Sequence, residues 1–467
     1  MPKTFHNPYN FVRTPSRTEA VLRDPFAGDH DPSDPKYQEN HSRYWAERYT
    51  GVIPVRLRTQ TPLFITNPET RRKMEKDREK EEGKAHYIYD CLEYIPAAAL
   101  KGMLSSAYEI ITNSRYRVFG KQNFTKLKYR DGWDKKTYPC SPAECLPDSL
   151  HPAKTIEQLS PADRLFGWVA QERPRGHGAW RGKLRFSNGV YEGEGSPIEK
   201  ISEGNGRQGN GRPLKILGEP KPAQARFYLG DASGGPQADG QTKEEAGYKN
   251  GKKLRGRKVY LHHRNFSSSS VFTQEGNKQN RSITGWIPAG KEFSFSIRFE
   301  NLTGEELGGL LILLEPSRLK LSESESEHPC YFRLGYGKPL GLGSVTLSPT
   351  TPDIIIFSGE EMATRYRSLE KGSVIPEKKD PNLFIDIFLK AMSRQSSLLS
   401  DFIKVGEGVD GTIAYSIIED RPDAPIYEWF VANERGEKRS LPSIGRTLPS
   451  YLPRSRSNAP TRRTGRR

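Results

Sequence analysis

The sequence predicts an α+β fold whose elements follow the order strand, helix, strand, strand, helix, strand. Two long segments, 52–65 and 283–300, alternate apolar and polar residues, as half-buried strands do. Each precedes a segment with apolar residues at helical spacing, 95–114 and 303–314. Shorter strand patterns, before an Asn-Gly turn and around a glycine-rich loop, complete a βαββαβ order. This is the order of the ferredoxin-like fold, which the RRM-like modules that bind RNA share.

The first strand presents a basic outer face. Val55, Leu57 and Thr59 alternate with Arg56 and Arg58, so the two arginines share the face that lies away from the core. Two arginines on one face of a sheet predict contact with a nucleic-acid backbone. A solvated face is the alternative interpretation, and the strand pattern alone does not separate the two.

Lys101 lies near the start of the first helix, which Pro96 opens. A lysine at that place opposes the helix dipole unless it meets an anion. We therefore predict that Lys101 contacts a phosphate, although a lysine in water fits the same pattern. A shorter helix follows Ser160, with Pro161 in its first turn and Asp163 completing a capping box. Its heavy apolar face predicts packing rather than chemistry.

Basic residues and histidines surround the apolar centre of the segment GRKVYLHHR. Basic residues beside an aromatic one suit an RNA backbone and its bases, which predicts RNA contacts for Arg257, Lys258 and Arg264. His262 and His263 are candidates for a catalytic acid or base. Because neighbours on a strand point to opposite faces, at most one of these histidines would reach a given substrate.

A glycine-rich loop interrupts the last strand pattern and reads LGYGKPLGLGSV. Its glycines expose backbone amides and permit positive φ, so the main chain can press against an anion. The loop has neither the Gly-Lys-Ser/Thr ending of a P-loop nor the following helix of a dinucleotide fingerprint. The predicted phosphate contacts are Gly335, Gly337, Lys338, Gly341 and Gly343. A tight turn between two core strands is the alternative.

The charge of the chain points to a polyanionic partner. The formal net charge is +16 over 467 residues and the pI is about 9.5, which favours nucleic acid. The segment 435–467 holds ten arginines or lysines and one glutamate, so +9 of the charge lies there. The four cysteines show no zinc-binding spacing, and no metal site is expected from them. No signal-like or membrane-length apolar run occurs, which predicts a cytoplasmic protein.

The predicted organisation is a core with large insertions. An irregular N-terminal arm (1–50) precedes a core at 51–348, a helical or irregular extension (349–435) and a disordered basic tail (436–467). The core is interrupted at about 66–94, 115–159 and 192–256. The nearly all-charged segment Arg71–Lys84 lies in the first insertion, and it must project from the body because it can bury nothing.

Five segments, in this order along the chain, resemble those of one protein family. They are Ile95–Met103 (IPAAALKGM), Ser160–Val169 (SPADRLFGWV), Gly182–Val190 (GKLRFSNGV), Trp286–Phe299 with Glu306–Leu314, and the glycine-rich loop. Together they make the chain similar to the RAMP proteins of CRISPR–Cas systems, especially the backbone-type subunits of type III effector complexes. The alanines before Leu100 depart from the Gly or Ser that is usual in the family. The insertion at 192–256 and the basic tail exceed a minimal backbone subunit.

The resemblance implies a guide-RNA (crRNA) binding subunit whose partners are crRNA, target RNA and other CRISPR effector subunits. In that family the glycine-rich loop and the start of the first helix lie against the guide. This assigns guide contacts to the loop and to Lys101. A projecting thumb interrupts the duplex of guide and target in the family, which makes residues 71–84 the thumb candidate here.

Two cleavage activities are compatible with the resemblance. Some backbone subunits cut target RNA with one aspartate before the first helix, for which Asp77 and Asp90 are the candidates. A divalent metal such as Mg²⁺ is the only cofactor that this activity implies. The alternative is a metal-independent endoribonuclease that processes guide precursors, with His262 or His263 as acid or base. A generic RNA-recognition protein is disfavoured, because the first strand lacks the aromatic pattern of stacking strands.

Overall fold

The computed structural model describes residues 4–23, 41, 43–70, 87–131, 133–170, 178–201, 211–218, 221–273, 280–319, 328–367, 375–392, 396–419 and 426–451. The strands are β1 (Thr4–Phe5), β2 (Tyr9–Val12), β3 (Tyr49–Thr59), β4 (Tyr87–Tyr89), β5 (Lys128–Asp131), β6 (Asp134–Thr137), β7 (Trp168–Val169), β8 (Ala179–Trp180), β9 (Leu184–Phe186), β10 (Val190–Tyr191), β11 (Glu199–Lys200), β12 (Arg212–Pro213), β13 (Leu229–Gly230), β14 (Lys253–Leu254), β15 (Arg257–Tyr260), β16 (Arg281–Ile283), β17 (Gly285–Trp286), β18 (Glu292–Leu302), β19 (Phe332–Arg333), β20 (Ser344–Pro349), β21 (Ile355–Ser358) and β22 (Leu448–Pro449). The helices are α1 (Glu19–Arg23), α2 (Ala97–Ile111), α3 (Pro161–Phe166), α4 (Ala225–Tyr228), α5 (Gly304–Leu314), α6 (Gly359–Arg367), α7 (Pro381–Met392), α8 (Ser396–Glu407) and α9 (Ile426–Arg435).

The main sheet is antiparallel and has β3 at its centre. β18 pairs with β3 on one side and β20 on the other, while β9 and β10 pair with the far side of β18. This order places the second, third, first and fourth strands of the βαββαβ series side by side, with α2 and α5 as its two helices. The arrangement is the ferredoxin-like fold, so the predicted fold class is confirmed. β19 pairs with β20, and β21 pairs with the start of β3.

The helices cover one face of this sheet and build the core with it. The apolar residues that alternate along β3 and β18 are buried on that face: Ile53, Val55, Leu57, Phe293, Phe295, Ile297 and Phe299. The predicted capping box opens α5, because Thr303 Oγ1 accepts from Glu306 N and Glu306 Oε2 accepts from Thr303 N, both at 3.1 Å. α7 packs over α5. A Cβ at Gly308 would lie 1.9 Å from the carbonyl oxygen of Phe384, so only glycine permits this approach.

The N-terminal arm differs from the irregular surface segment that its composition suggests. β2 pairs antiparallel with β15, with Val12 opposite Arg257. Phe5 and Val12 are fully buried, and the ring of Phe5 meets that of Trp429 edge-on at 5.7 Å between centroids. Residues 4–12 of the arm are held in place because their aromatic side chains pack on partners that lie hundreds of positions away in the sequence.

The C-terminal part is also more ordered than the sequence suggests. Residues 436–451 belong to the segment expected to be a disordered tail, yet Leu441 and Leu448 are buried and β22 pairs with β1. The extension before this segment forms α6 to α9, and α9 was not anticipated from the local pattern. Residues 452–467 lie outside the described part of the chain.

The second and third insertions pack against each other. Tyr138 from one and Tyr248 from the other lie in a shared buried cluster, with their ring centroids 5.4 Å apart. The described part of the 192–256 insertion is therefore anchored to the 115–159 insertion. Residues 71–86 lie outside the described residues, and with them the thumb candidate and Asp77. No helix in the described ranges is long and apolar enough to cross a bilayer.

Candidate nucleic-acid interface

Three arginines lie on the open face of the main sheet, and none of them has a partner among the residues that the structure describes. Arg56 and Arg58 lie on β3 and Arg298 lies on β18, and all three are exposed on the face away from the helices. Within the described ranges, none of their guanidinium groups makes a hydrogen bond or an ion pair. Arg56 lies in register between Ser294 and Ser348. These short side chains leave space for a polymer backbone to approach the arginines.

Arg298 lies directly opposite a second arginine, Arg185 on β9. Like charges opposite each other destabilise a strand pair unless an anion lies near both. Arg185 Nη1 donates to the carbonyl oxygens of Gly182 at 3.1 Å and Leu184 at 3.2 Å, which orients it without neutralising it. Neither Arg298 nor Arg185 was singled out from the sequence. The alternation in EFSFSIRFE already places Arg298 on the outer face, so a search of every outer-facing strand position would have found it.

Lys101 on α2 extends this cationic surface at the edge of the sheet. Burial, followed by the charges of Arg117 and Arg185, lowers the pKa of Lys101. Arg117 is held by Asp163, with Nε and Oδ1 3.4 Å apart, but Lys101 pairs with no acid in the described structure. Lys101 therefore lies near Arg185, and no acid in the described structure neutralises its charge. It remains the predicted contact for a phosphate.

The glycine-rich loop owes part of its composition to packing. All four of its glycines have positive φ, between 74° and 91°. A Cβ at Gly343 would lie 1.8 Å from the carbonyl oxygen of Leu334, and one at Gly335 would lie 2.4 Å from that of Phe64. At these two positions glycine is needed for the close approach of backbone to backbone inside the protein. The tight-turn interpretation therefore explains these two glycines without a ligand.

Two cations lie together beneath this loop. Arg333 on β19 donates to Ser344 Oγ and to the carbonyl oxygen of Lys338 at 2.8 Å, and burial lowers the pKa of Arg333 to about 9. Burial and the charge of Arg333 lower the pKa of Lys338. No acid pairs with either side chain among the described residues. Arg333 was not identified from the sequence, because nothing local shows that a strand residue will reach the loop.

The two histidines are buried and neutral. His262 Nδ1 lies 2.7 Å from Ser344 Oγ, and the His262 ring lies 4.1 Å from that of Tyr331. Burial lowers the pKa of His262 to about 3 and that of His263 to about 2. A general acid needs a protonated imidazole near neutral pH and contact with the reacting oxygen. Because the two rings are buried, they are not protonated near neutral pH and cannot contact the reacting oxygen. The geometry therefore does not support a catalytic role for them.

These histidines should make the protein sensitive to acid. Because each imidazole has a lower pKa in the folded than in the unfolded state, the unfolded state binds more protons below pH 6.5. The stabilisation is complete above pH 6.5 and is lost as the pH falls towards 3. His263→Leu should reduce the slope of the unfolding free energy against pH by up to about 1.4 kcal/mol per pH unit. Urea unfolding of both proteins between pH 7 and pH 4.5 measures it, and parallel curves would contradict the neutral, buried imidazole.

Three predicted RNA contacts have partners inside the protein. Arg257 is buried, and its Nε lies 2.9 Å from Glu109 Oε1, which ties β15 to α2. Lys258 Nζ lies 3.9 Å from the ring centroid of Tyr9, and burial lowers the pKa of Lys258 to about 8. Arg264 forms an ion pair with Asp410, with Nη1 and Oδ2 3.0 Å apart. We therefore do not include these three residues in the candidate interface.

Asp90 is held by two hydroxyl groups. Its Oδ1 accepts from Thr284 Oγ1 at 2.7 Å, and its Oδ2 accepts from Thr70 Oγ1 at 2.9 Å. The described residues contain no group of three or more His, Cys, Asp or Glu side chains that could hold a metal. One carboxylate that already accepts two hydrogen bonds does not form a magnesium site by itself. The described surroundings of Asp90 therefore do not fit metal-assisted cleavage.

Comparison with known proteins places this fold in a family. A sequence model of the RAMP superfamily matches residues 56–346, which is more than half of the chain and spans the main sheet with α2 and α5. A solved structure described as a type IV-B CRISPR complex matches with a TM-score of 0.26 and 15% identity, covering 64% of this chain and 90% of that chain. A comparison with curated proteins gave no significant match. The chain therefore belongs to the RAMP superfamily of CRISPR-associated proteins.

Proposed function

We propose that this RAMP protein is a guide-RNA (crRNA) binding subunit of a type III-like CRISPR effector complex. The observation that supports the proposal is the cationic surface formed by Arg56, Arg58 and Arg298 on the open sheet face, with Lys101 at its edge. Phosphate contacts dominate the affinity of proteins for nucleic acids, and they carry little sequence information. A guide-binding subunit must accept guides of any sequence, which is what contacts to the backbone provide.

The distribution of acids separates this surface from an ordinary solvated face. Some exposed arginines in other parts of the described structure are paired with acids, as Arg439 is with Asp239 and Glu437. On the sheet face, Arg56, Arg58 and Arg298 lack such partners in the described part of the chain, although Glu292 lies opposite Arg58. A surface that keeps several cations apart from the available acids is suited to an external polyanion.

Arg333 and Lys338, beneath the glycine-rich loop, supply a second group of unpaired cations. Gly337 and Gly341 are buried, and the Gly341 amide donates to the carbonyl oxygen of Lys338 at 3.1 Å, so the proposed RNA contact of this loop rests on its cations and not on its glycine amides. We limit the proposal to binding. Among the described residues Asp90 has no metal-binding neighbours and the two histidines are buried, so these residues do not support cleavage of target or precursor RNA. The partners in this proposal are crRNA, target RNA and the other effector subunits.

The RNA that copurifies with the protein tests this function. We expect a uniform species of guide length rather than a heterogeneous cellular mixture. Affinity for that RNA should fall steeply with salt. Four phosphate contacts on a single strand give a slope of about −2.8 in a log–log plot, or roughly a 50-fold loss between about 50 and 200 mM salt. Absence of discrete RNA, together with an affinity that does not respond to salt, would refute the proposal.

A further inference from the structure

A short hairpin carries the most exposed of the large apolar side chains in the described structure. Trp133 lies in the turn between β5 and β6 and is 95% exposed. The residues of both strands are exposed, except for the half-buried Tyr129. Tyr129 anchors the hairpin, since its ring stacks on that of Tyr138 with 4.2 Å between centroids. The hairpin therefore projects from the body with a tryptophan at its tip.

One face of this hairpin carries three cations and one threonine, Thr137. Lys128 and Arg130 lie two positions apart on β5, and Arg130 lies directly opposite Lys135 on β6. No acid pairs with these three side chains within the described ranges. The Lys136–Asp131 ion pair, at 2.7 Å, lies on the other face of the hairpin. Two opposed cations weaken a strand pair unless an anion lies between them, so this face also points to a ligand with negative charge.

The cationic face continues into the body of the protein. A cleft of about 260 Å³ at the base of the hairpin is lined by Lys128, Arg130 and Lys243, and also by Glu434, which is paired with Arg226 at 2.8 Å. Lys243 Nζ donates to the carbonyl oxygen of Arg130 at 2.8 Å, which fixes this fourth cation beside the hairpin. A polyanionic chain that follows the cleft would therefore lead towards the turn that holds Trp133.

The surroundings of Trp133 favour nucleic acid over protein. A tryptophan that anchors a protein interface is usually ringed by further contacts that exclude water. The hairpin offers charged and polar neighbours instead. A ring that projects between cations is the arrangement in which bases of a single strand stack on an aromatic residue while the phosphates contact lysine and arginine. A duplex would hide its base faces from the ring.

We propose that Trp133 stacks on an unpaired base of single-stranded RNA, whose phosphates contact Lys128, Arg130 and Lys135. This inference rests on the proposed function for the identity of the polymer as RNA. It adds a second contact surface, separate from the open face of the main sheet.

Binding of a short oligouridylate to the full-length protein tests the inference, with an RNA duplex of equal length as the comparison. Trp133→Ala should weaken oligouridylate binding about 5- to 150-fold, the range that corresponds to about 1–3 kcal/mol of base stacking. Trp133→Tyr should retain most of the affinity, and duplex binding should stay unchanged. Tyr366→Ala removes another exposed aromatic ring, from α6, and should have no effect. Because Trp133 is exposed, its replacement should not disturb folding.

Three results would overturn the inference. Trp133→Ala could bind oligouridylate as tightly as the original protein does. It could lose duplex and single-strand binding equally. It could keep its RNA affinity but lose a protein subunit of the purified complex, which would make the hairpin a protein-docking site. The proposed function is tested separately: if no guide copurifies but Trp133→Ala still weakens oligouridylate binding, the guide-binding proposal fails and the stacking inference stands.

Discussion

Replacing Arg56 and Arg298 together by glutamate is expected to reduce guide-RNA affinity roughly 100-fold. Each change removes an attraction to a phosphate of about 1 kcal/mol and adds a smaller, screened repulsion, so the two together amount to about 3 kcal/mol. The magnitude of the salt slope should also fall by about 1.4, because two phosphate contacts are lost. Filter binding or fluorescence anisotropy at several salt concentrations measures both quantities.

The matched control is Lys390→Glu with Lys404→Glu. These exposed lysines lie on α7 and α8, on the helical side of the main sheet, and they carry the same change in net charge. We expect less than about a threefold loss of affinity from this pair, since distant charges are screened at physiological salt. Equal losses in the two double variants would show that overall charge, rather than the open sheet face, binds the RNA. Both sets of side chains are exposed, so the fold should survive either change.

The parts of the fold that sequence reasoning found are those with strong local signals. The alternation around Val55 and Phe295 and the helical spacing in α2 and α5 follow from burial of one face, which any short window reveals. The capping box of Thr303 and Glu306 needs only four neighbouring residues. The ends of the elements are harder to predict from sequence. The first strand pattern covers 52–65, but the strand ends at Thr59, and the apolar residues up to Ile65 belong to a separate segment.

Elements held by distant partners could not be found in this way. β2 exists because β15 lies beside it, almost 250 positions along the chain. Ile413 forms an isolated bridge with His6, which lies near the opposite end of the chain. Leu441 and Leu448 sit in a polar, basic sequence whose composition predicts disorder, yet they fill a cluster formed by both ends of the chain. Propensity is overridden in each case by a tertiary contact that no local pattern encodes.

The same division applies to the candidate interface. Arg56 and Arg58 were predicted because alternation along one strand decides which face they share. Arg257 has the same local character, but Glu109 lies 148 positions away and neutralises it. Cations near an aromatic residue therefore predict a binding surface only when the fold leaves them without acids. The histidine pair shows the same limit, since a sequence of two histidines says nothing about the burial that lowers their pKa values.

The largest expected effect on stability comes from a buried ion pair beside this interface. Lys183 precedes β9, and its Nζ lies 3.0 Å from Glu306 Oε2 in the first turn of α5. Both side chains are almost fully buried, with 3% and 1% exposed. Lys183→Met would leave a buried carboxylate without its cation, which typically costs about 3–5 kcal/mol of folding free energy. Chemical denaturation of the purified protein measures the loss, and a cost below about 1 kcal/mol would contradict this account.

A second substitution separates the charge from the packing. In Lys183→Met with Glu306→Gln, the buried charge is gone, while the amide oxygen can still accept the capping hydrogen bond from Thr303. We expect this double variant to regain at least about half of the lost stability. The pair also fixes the start of the edge strand that carries Arg185, opposite Arg298. Lys183→Met should therefore also weaken guide binding. The double variant should regain guide binding together with stability. Recovery of stability without recovery of binding would mean that Lys183 itself contacts the RNA, which its burial argues against.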